Sequence, residues 1–350
     1  MNAHPPPLPH PPPTNRRSSR IGCWVAGILG LLLLVAGLIA ILSLASALEQ
    51  KIALRNPIHD RAVDEFPALK EIWSYGNGET KVARIAVEGL ILREVEDGLF
   101  GPTLNMVDSV LAQIRAAKAD PDVRAILLEV DSPGGGITAS DEIYRALVDF
   151  RESGTNRVVV IFMRDLAASG GYYISMAGDW LIAQPTTVLG SIGVIMQTVN
   201  IKGLSEKLGI RDVTIKSGPN KDLLNPFEEV DPAQRRLVQE MIDDMFEHFL
   251  GIVAQNRSRI PADQLRTLAD GRLFVAPRAL ELGLVDQIGY WEDVMAKTAE
   301  LLGVPEIKVI RYEEPLHLWG WLMSVRKPIH PTAWIRELMA SPKFLYLWAP

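Results

Sequence analysis

The stretch Met163–Ser175, MRDLAASGGYYIS, decides how the rest of the chain is interpreted. It continues an apolar run, Val158–Phe162, and places Ser169 before two glycines and two tyrosines. We expect a strand-to-helix corner here, because Gly170 and Gly171 carry no Cβ and let a backbone N–H approach a reacting atom. A helix that begins after Ser169 would direct its unpaired N–H groups and its positive dipole end at a developing negative charge. The alternative is that these small residues only allow a helix to pack tightly on a sheet.

Strand and helix patterns alternate on both sides of this corner. The sequence predicts strands at Val82–Val87, Val123–Val130 and Val158–Phe162, and helices at Met106–Ala117 and Ser140–Phe150. Such alternation favours an α/β fold with helices layered on a largely parallel sheet. Glycine-bearing corners follow two successive strands, at 131–136 and 168–171. We expect the functional site there, because open α/β sheets place their sites at the carboxyl ends of strands.

The composition limits the class of protein. A chain of 350 residues with 48% hydrophobic residues can bury one large core, so we expect one domain of roughly 220 to 250 residues plus appendages. The net charge of −6 gives no indication of a nucleic-acid partner. Cys23 is the only cysteine, which excludes an intrachain disulfide and a thiolate metal site.

The first 80 residues divide into three segments. Residues 1–20 are rich in proline, which predicts a disordered tail. Residues 21–48 contain no charged side chain and, at 1.5 Å per residue, exceed the ~30 Å hydrocarbon layer, so we expect a transmembrane helix. Residues 49–80 contain prolines and a Gly-Asn-Gly turn signal, which is typical of a linker.

The apolar segment at 21–48 has an alternative interpretation as a signal peptide, and the charges before it predict its orientation in the membrane. Ala45-Ser46-Ala47 resembles a signal-peptide cleavage site, but the apolar run is about twice as long as a signal peptide needs. Three arginines at positions 16, 17 and 20 directly precede the span. The positive-inside rule therefore places the amino terminus in the cytoplasm and the remainder of the chain outside it.

The first glycine corner, Asp131–Gly136, has the sequence DSPGGG. A phosphate-binding loop is disfavoured, because no Gly-Lys-Ser/Thr ending follows. An oxyanion hole fits better, with one N–H from this loop and one from Gly170. An unusually tight turn is the alternative.

A nucleophilic serine needs a base, and the histidines do not supply one. Of six histidines only His248 lies in the middle of the predicted domain, at the edge of the apolar stripe of a helix over Asp231–Gln255, which favours a surface role. A lysine with an uncharged amine remains. We predict a short strand that runs into the turn of KSGPNKD and could direct Lys221 inward, where an apolar pocket would favour the neutral amine. Considered by itself, Lys221 fits a solvated turn lysine better than it fits a buried base.

Five sequence blocks resemble the signal peptide peptidase A, or protease IV, family. They occur in the order and spacing of that family and cover roughly residues 80 to 300: DSPGGG (131–136), AASGGYYIS (167–175), GSIGVIMQ (190–197), KSGPNKD (216–222) and GRLFVAPRALELGLVDQIG (271–289). The resemblance implies a peptidase domain over 81–303, with a layered α/β fold similar to the caseinolytic protease and crotonase group. It also implies a single-pass protein of the bacterial inner membrane with an extracytoplasmic catalytic domain.

The same resemblance assigns roles to five residues. Ser169 matches the nucleophile and Lys221 the general base, while Gly135 and Gly170 match the oxyanion donors. Ser191 matches a serine that orients the lysine amine. No cofactor or metal is implied. Short members of the family resemble homo-oligomeric rings whose sites combine the serine of one protomer with the lysine of the next, and they degrade remnant signal peptides and other hydrophobic peptides.

Two other classes of function are alternatives to a serine endopeptidase. A crotonase-type acyl-CoA hydratase or isomerase would share the fold but would use acidic catalytic residues. A non-catalytic membrane scaffold would lack the pair of Ser169 and Lys221.

The last segment, 304–350, contains four tryptophans and several prolines. It suits a membrane surface, the substrate groove or a neighbouring subunit.

Overall fold

A computed structural model of the chain describes residues 37, 67, 69–93, 97–98, 101–102, 105–313 and 344–347. All of these except Gly37 belong to one compact unit, Ala62–Pro350. The predicted tail at 1–20, the predicted span at 21–48 apart from Gly37, and most of the predicted linker lie outside the described residues. Within the described ranges, no helix combines the length and the apolar character that a membrane crossing requires.

The described residues form strands and helices in alternation. The strands are β1 (Lys70–Tyr75), β2 (Thr80–Glu88), β3 (Asp97–Gly98), β4 (Gly101–Pro102), β5 (Val123–Ser132), β6 (Gly134–Gly136), β7 (Val158–Ala168), β8 (Trp180–Ala183), β9 (Val188–Gly190), β10 (Ile195–Met196), β11 (Leu273–Val275), β12 (Gln287–Ile288), β13 (Ile307–Glu313) and β14 (Phe344–Leu347). The helices are α1 (Met106–Ala119), α2 (Ile137–Glu152), α3 (Gly170–Ser175), α4 (Lys202–Leu208), α5 (Pro232–Asn256), α6 (Ala262–Leu268), α7 (Ala276–Glu281) and α8 (Trp291–Leu302). All five elements predicted around the corner are confirmed.

The main sheet has the order β1-β13-β2-β5-β7-β8-β12. In addition, β9 pairs with β7, and β11 pairs with β9. The central pairs β2–β5, β5–β7 and β7–β8 are parallel. Alternate side chains of β5 enter two separate cores: Ile126 and Leu128 pack with the helices on one face, while Ala125 and Leu127 pack on the other face. A strand that is apolar on both faces must be covered on both. The predicted layered α/β architecture is therefore confirmed.

The sheet extends beyond both ends predicted for the domain. β1 lies in the stretch interpreted as a linker and pairs antiparallel with β13, which lies beyond the predicted end at residue 303. β13 in turn pairs in parallel with β2. The domain therefore begins before residue 81 and continues past residue 303, because these two segments cover an edge of the sheet that would otherwise leave backbone groups unpaired.

β7 changes its neighbour along its length. Residues 160–163 pair with β8, whereas residues 166–168 pair with β9. The hydroxyl of Thr187, which precedes β9, donates to the carbonyl of Met163 at 3.0 Å and also to that of Arg164. Through this change of neighbour the end of β7 pairs with β9 instead of β8. Ser169 directly follows β7 and so lies at the carboxyl end of a central strand.

A second sheet of three strands has the order β10-β14-β6. Its middle strand, β14, belongs to the carboxyl-terminal segment 304–350 and runs antiparallel to both neighbours. β6 is the glycine triplet of the DSPGGG block. β14 therefore lies against the loop in which the sequence predicts an oxyanion hole.

Candidate active site

Ser169 occupies a strained corner between β7 and α3. Its φ is +53° and its ψ is −113°, a conformation that L residues rarely adopt and that concentrates at functional sites. Its N–H donates to the carbonyl of Gly190 at 2.7 Å, and its own carbonyl accepts from the N–H of Tyr173 at 2.8 Å. The residue is 1% exposed. Its Oγ has no hydrogen-bond partner within the described part of the chain, which leaves this buried hydroxyl available for chemistry.

The glycine triplet β6 is fixed by Ser132 and Ile91. The Ser132 hydroxyl donates to the carbonyl of Gly89 at 2.6 Å and accepts from the N–H of Gly134 at 3.0 Å. Ile91 donates its N–H to the carbonyl of Gly134, at 2.9 Å, and accepts from the N–H of Gly136, at 2.8 Å.

The two hydrogen bonds with Ile91 orient the N–H of Gly135, the third N–H of the triplet. Because C=O and N–H point in opposite directions across a trans peptide, the N–H of Gly135 points away from Ile91. It is therefore directed toward the side on which β14 lies. A backbone donor held in this way needs no reorganisation when negative charge develops beside it.

The two glycine corners lie in contact with each other. A Cβ added to Gly170 would lie 3.1 Å from the backbone nitrogen of Gly135 and 2.6 Å from the Ser140 hydroxyl. A Cβ added to Gly134, whose φ is +98°, would lie 2.5 Å from the backbone nitrogen of Gly170. The structure thus brings the two predicted oxyanion donors together, and the same contacts show that tight packing also requires glycine here.

Ser191 lies next to this arrangement. It directly follows Gly190, which accepts the N–H of Ser169, and its own N–H donates to the carbonyl of Arg272 at 2.8 Å. Its φ is +50° and the residue is buried. Ser191 and Ile192 line a cavity of about 360 Å³ together with Phe246, Ala269 and Leu347. The cavity provides space for a further group beside Ser191.

Lys221 is the one predicted site residue that the chain does not bring to Ser169. It lies exposed in a turn, with its N–H donating to the carbonyl of Gly218 at 3.2 Å. The short strand predicted before this turn is not formed, since residues 211–216 have no regular structure and no neighbouring strand. The amine of Lys221 has no hydrogen-bond or ion-pair partner among the residues described.

Lys216, in the same block, is held differently. Both carboxylate oxygens of Asp222 lie 2.8 Å from its amine. The hydrogen bond from Lys216 to Asp222 raises the pKa of the Lys216 amine, so this lysine is kept charged. Of the two lysines in KSGPNKD, only Lys221 is free of such a partner within the described ranges, which makes it the better candidate base.

The segment that carries Lys221, residues 199–230, exposes an unusual amount of apolar surface, and we call it the arm. Val213 is 83% exposed and Ile215 is 97% exposed. The exposed apolar residues of the arm are Val199, Leu204, Leu208, Ile210, Val213, Ile215 and Val230. Large exposed apolar patches are typical of interaction surfaces.

His248 does not contact the nucleophile. Its Nε2 lies 3.1 Å from the Tyr173 hydroxyl and 3.6 Å from a carboxylate oxygen of Asp141. The Tyr173 hydroxyl itself donates to Asp141 at 2.5 Å. Burial and this hydrogen bond to Asp141 raise the pKa of Tyr173. The histidine and carboxylate therefore contact a tyrosine, and no triad with Ser169 forms among the residues that the structure describes.

Sequence reasoning missed three residues that shape the site. Ser132 and Ile91 hold the glycine triplet, and Tyr346 packs against Tyr173 with ring centroids 5.1 Å apart. The serine lies inside the quoted DSPGGG block, but a hydroxyl that braces a loop has no pattern of its own. The apolar run Phe344–Leu347 between two prolines is a strand signal that was available.

Comparisons with known proteins find two matching protease families and several related proteases. The profile of peptidase family S49 matches residues 151–305, and the profile of Clp protease matches residues 101–188. A protein of Enterococcus faecium assigned as signal peptide peptidase SppA is 35% identical over 70% of this chain and 70% of its own length. A protein of Synechocystis assigned as a protease is 37% identical over 68% of this chain and 80% of its own length. The chloroplastic serine protease SPPA of Arabidopsis thaliana is 30% identical over 69% of this chain and 36% of its own length.

Proposed function

We propose how this chain, a serine protease that belongs to peptidase family S49, builds its catalytic site: Ser169 is the nucleophile, and Lys221 of a neighbouring copy is the general base. The observation that carries the proposal is the buried Ser169 hydroxyl, which has no hydrogen-bond partner in the described part of its own chain. A serine in this state needs a base from elsewhere.

The chain's own residues supply the nucleophile and the oxyanion donors. Ser169 Oγ attacks the carbonyl carbon of a peptide bond, and the N–H groups of Gly135 and Gly170 stabilise the negative charge that develops on the oxygen. Collapse of the tetrahedral intermediate breaks the C–N bond and leaves an acyl group on Ser169. Water then attacks this ester and regenerates the serine.

The proton transfers belong to Lys221. Its neutral amine takes the proton of Ser169 and passes it to the nitrogen of the leaving amine. In the single chain Lys221 is exposed, so a neighbouring subunit has to exclude water from it and thereby favour the uncharged amine. The exposed apolar residues of the arm are suited to dock against another copy, and docking would bury Lys221 at that copy's Ser169. Ser191, next to the nucleophile, would then orient the incoming amine.

The membrane assignment rests on sequence. Residues 21–48 have the length and composition of a transmembrane helix, and the arginines before them favour an amino terminus in the cytoplasm. The peptidase domain would then act outside the cytoplasm, on signal-peptide remnants and other apolar peptides near the bacterial inner membrane. Proteinase treatment of intact spheroplasts tests the topology: the domain should be degraded without detergent, and full protection would contradict this orientation.

Covalent labelling tests the nucleophile. A fluorophosphonate should label the assembled protein at Ser169, and Ser169→Ala should abolish both labelling and peptide hydrolysis. Ser175→Ala is the matched control, since its hydroxyl lies in the same corner and donates only to the carbonyl of Gly171, at 2.7 Å. Labelling or hydrolysis that persists in folded Ser169→Ala protein would contradict the assignment.

A further inference from the structure

Two helices begin at the two proposed oxyanion donors. α2 directly follows the glycine triplet of β6 and has Gly136 as its N-cap residue. α3 begins with Gly170 itself. Because the hydrogen-bonded turns of a helix move together, the N–H groups at its start follow any movement of its axis. The spacing between the N–H groups of Gly135 and Gly170 therefore depends on how α2 and α3 are held against each other.

The first turns of the two helices are in close contact. The Ser140 hydroxyl, on α2, donates to the carbonyl of Gly136 at 3.0 Å. A Cβ added to Gly170 would lie 2.6 Å from this hydroxyl oxygen, so the start of α3 rests directly on Ser140. This contact limits how closely α3 can approach α2, but a van der Waals contact does not fix the orientation of the helix.

A hydrogen bond joins the helices one turn further along. The Tyr173 hydroxyl, on α3, donates to a carboxylate oxygen of Asp141, on α2, at 2.5 Å. An O–H group that donates to a carboxylate forms a short bond, roughly twice as strong as one between neutral groups. Tyr173 is fully buried, and burial together with this bond raises the pKa of its phenol. The hydroxyl therefore keeps its proton and remains a donor.

His248 connects the same hydroxyl to α5. A tyrosine hydroxyl has one proton, and Tyr173 gives it to Asp141. The Nε2 of His248, 3.1 Å from the hydroxyl oxygen, is therefore the donor in the second bond. The Tyr173 ring also packs against Tyr144 of α2 and Phe249 of α5, with centroid distances of 5.4 and 5.1 Å. The ring is thus held by packing, while the two hydrogen bonds fix its outer end.

We propose that Asp141 and His248 act as positioning residues of the protease. Through the Tyr173 hydroxyl they hold α3 against α2, and they thereby set the spacing of the two oxyanion donors. The N–H of Tyr173 donates to the carbonyl of Ser169 at 2.8 Å, so a displaced Tyr173 would also move the nucleophile corner. The inference rests on the proposed function, because it takes the N–H groups of these glycine corners as the oxyanion donors.

Loss of the bond between the helices should lower turnover and leave substrate binding nearly unchanged. Oxyanion donors act at about 2.7–3.1 Å from the developing charge, and a displacement of ~1 Å can cost roughly 10²-fold in rate. Tyr173→Phe removes the hydroxyl and keeps the ring. In the full-length, assembled chain it should lower kcat for a peptide by roughly tenfold to a hundredfold, with KM within about threefold. Asp141→Ala should do the same, whereas Asp141→Asn, whose amide oxygen still accepts the hydroxyl, should keep most of the kcat.

Two substrates that differ in one atom distinguish positioning from a loss of folded protein. A peptide ester and the matching thionoester present an oxygen and a sulfur to the same donors, and sulfur is the weaker acceptor. The wild type should hydrolyse the ester faster. In Tyr173→Phe the ratio of the two kcat/KM values should fall by roughly threefold to tenfold. A residue with a merely structural role would lower both rates equally and leave this ratio unchanged.

A double-mutant cycle tests whether Asp141 acts through Tyr173. If it does, the double variant with Asp141→Ala and Tyr173→Phe should have a kcat within about twofold of the slower single variant. His248→Ala leaves the bond between the helices in place and should lower kcat by only about twofold to fivefold, with a matching fall in the ester-to-thionoester ratio. Asp149→Ala is the matched control on α2: its carboxylate pairs with Arg145 at 3.0 Å on the exposed side of the helix, and neither kcat nor the ratio should change.

The outcomes separate this inference from the proposed function. Hydrolysis that requires Ser169 but keeps its kcat or its ester-to-thionoester ratio in folded Tyr173→Phe protein would overturn the positioning role alone. Additive losses in the double variant would overturn the role of Asp141, and unchanged kinetics in His248→Ala would overturn that of His248. Failure of the wild type to hydrolyse any of the substrates, with Ser169 unlabelled by the fluorophosphonate, would overturn the proposed function and this inference together.

Discussion

Replacement of Gly134 by alanine should block the oxyanion donors while the fold survives. The new Cβ would lie 2.5 Å from the backbone nitrogen of Gly170 and would overlap the Tyr346 carbonyl oxygen. It would therefore occupy the space that the carbonyl of a substrate needs. Loss of one oxyanion donor typically lowers kcat by ~10²- to 10³-fold, and we expect a loss of that size here.

The backbone strain that alanine causes at position 134 has to be distinguished from its obstruction of the oxyanion donors. Its φ is +98°, and alanine in a left-handed conformation costs about 1 to 2 kcal/mol. Gly303→Ala is the matched control: φ there is +67°, and the new Cβ would meet no atom within 4 Å. Both variants should show a lowered thermal midpoint, but only Gly134→Ala should lose peptide hydrolysis. A folded Gly134→Ala protein with kcat within a few-fold of the wild type would refute the placement of the oxyanion hole.

Three further predictions concern assembly and stability. Ile215→Glu should prevent assembly of the arm, as measured by sedimentation velocity, and abolish hydrolysis, whereas Leu280→Glu, on another exposed surface, should leave both unchanged. Arg84→Met should lower the free energy of unfolding by about 3 kcal/mol, because it leaves Glu129, which is 2% exposed, without its ion-pair partner at 2.9 Å; a loss below about 1 kcal/mol in urea denaturation would contradict this. Burial raises the pKa of Tyr172 in the folded state, so its contribution to stability is complete below the unfolded pKa of about 10 and is lost as the pH rises further. The stability difference between wild type and Tyr172→Phe should therefore narrow above pH ~10, and a constant difference would contradict the burial of this phenol.

The sequence predicts those parts of the molecule that depend on local pattern. The alternation around β5 and β7 follows from apolar periodicity, and the corner at Ser169 follows from a strand that ends in small residues. The strands β1 and β13 escape prediction because each is short, β1 is largely exposed, and each forms only against a partner more than 200 residues away in sequence. Their pairing depends on the tertiary arrangement of the sheet, which local periodicity does not encode.

The same distinction applies to the candidate site. Ser169, Gly135, Gly170 and Ser191 lie close together because they follow strands of one sheet, so their juxtaposition could be predicted from topology. The short strand predicted before Lys221 is absent, because an apolar run forms a strand only where another edge can pair with it. The arm instead exposes Val213 and Ile215, as expected of a segment whose partner surface lies on another molecule.

The central claim is that one copy supplies Ser169 and another supplies Lys221. Its most direct test is to co-assemble Ser169→Ala and Lys221→Ala proteins in equal amounts, each inactive when assembled by itself, and to measure peptide hydrolysis. With random mixing at a head-to-tail interface, about one quarter of the interfaces join an intact serine to an intact lysine, so about one quarter of the wild-type activity should return. Mixed assemblies, verified by native mass spectrometry, that recover no activity would contradict the account, as would full hydrolysis by Lys221→Ala protein alone.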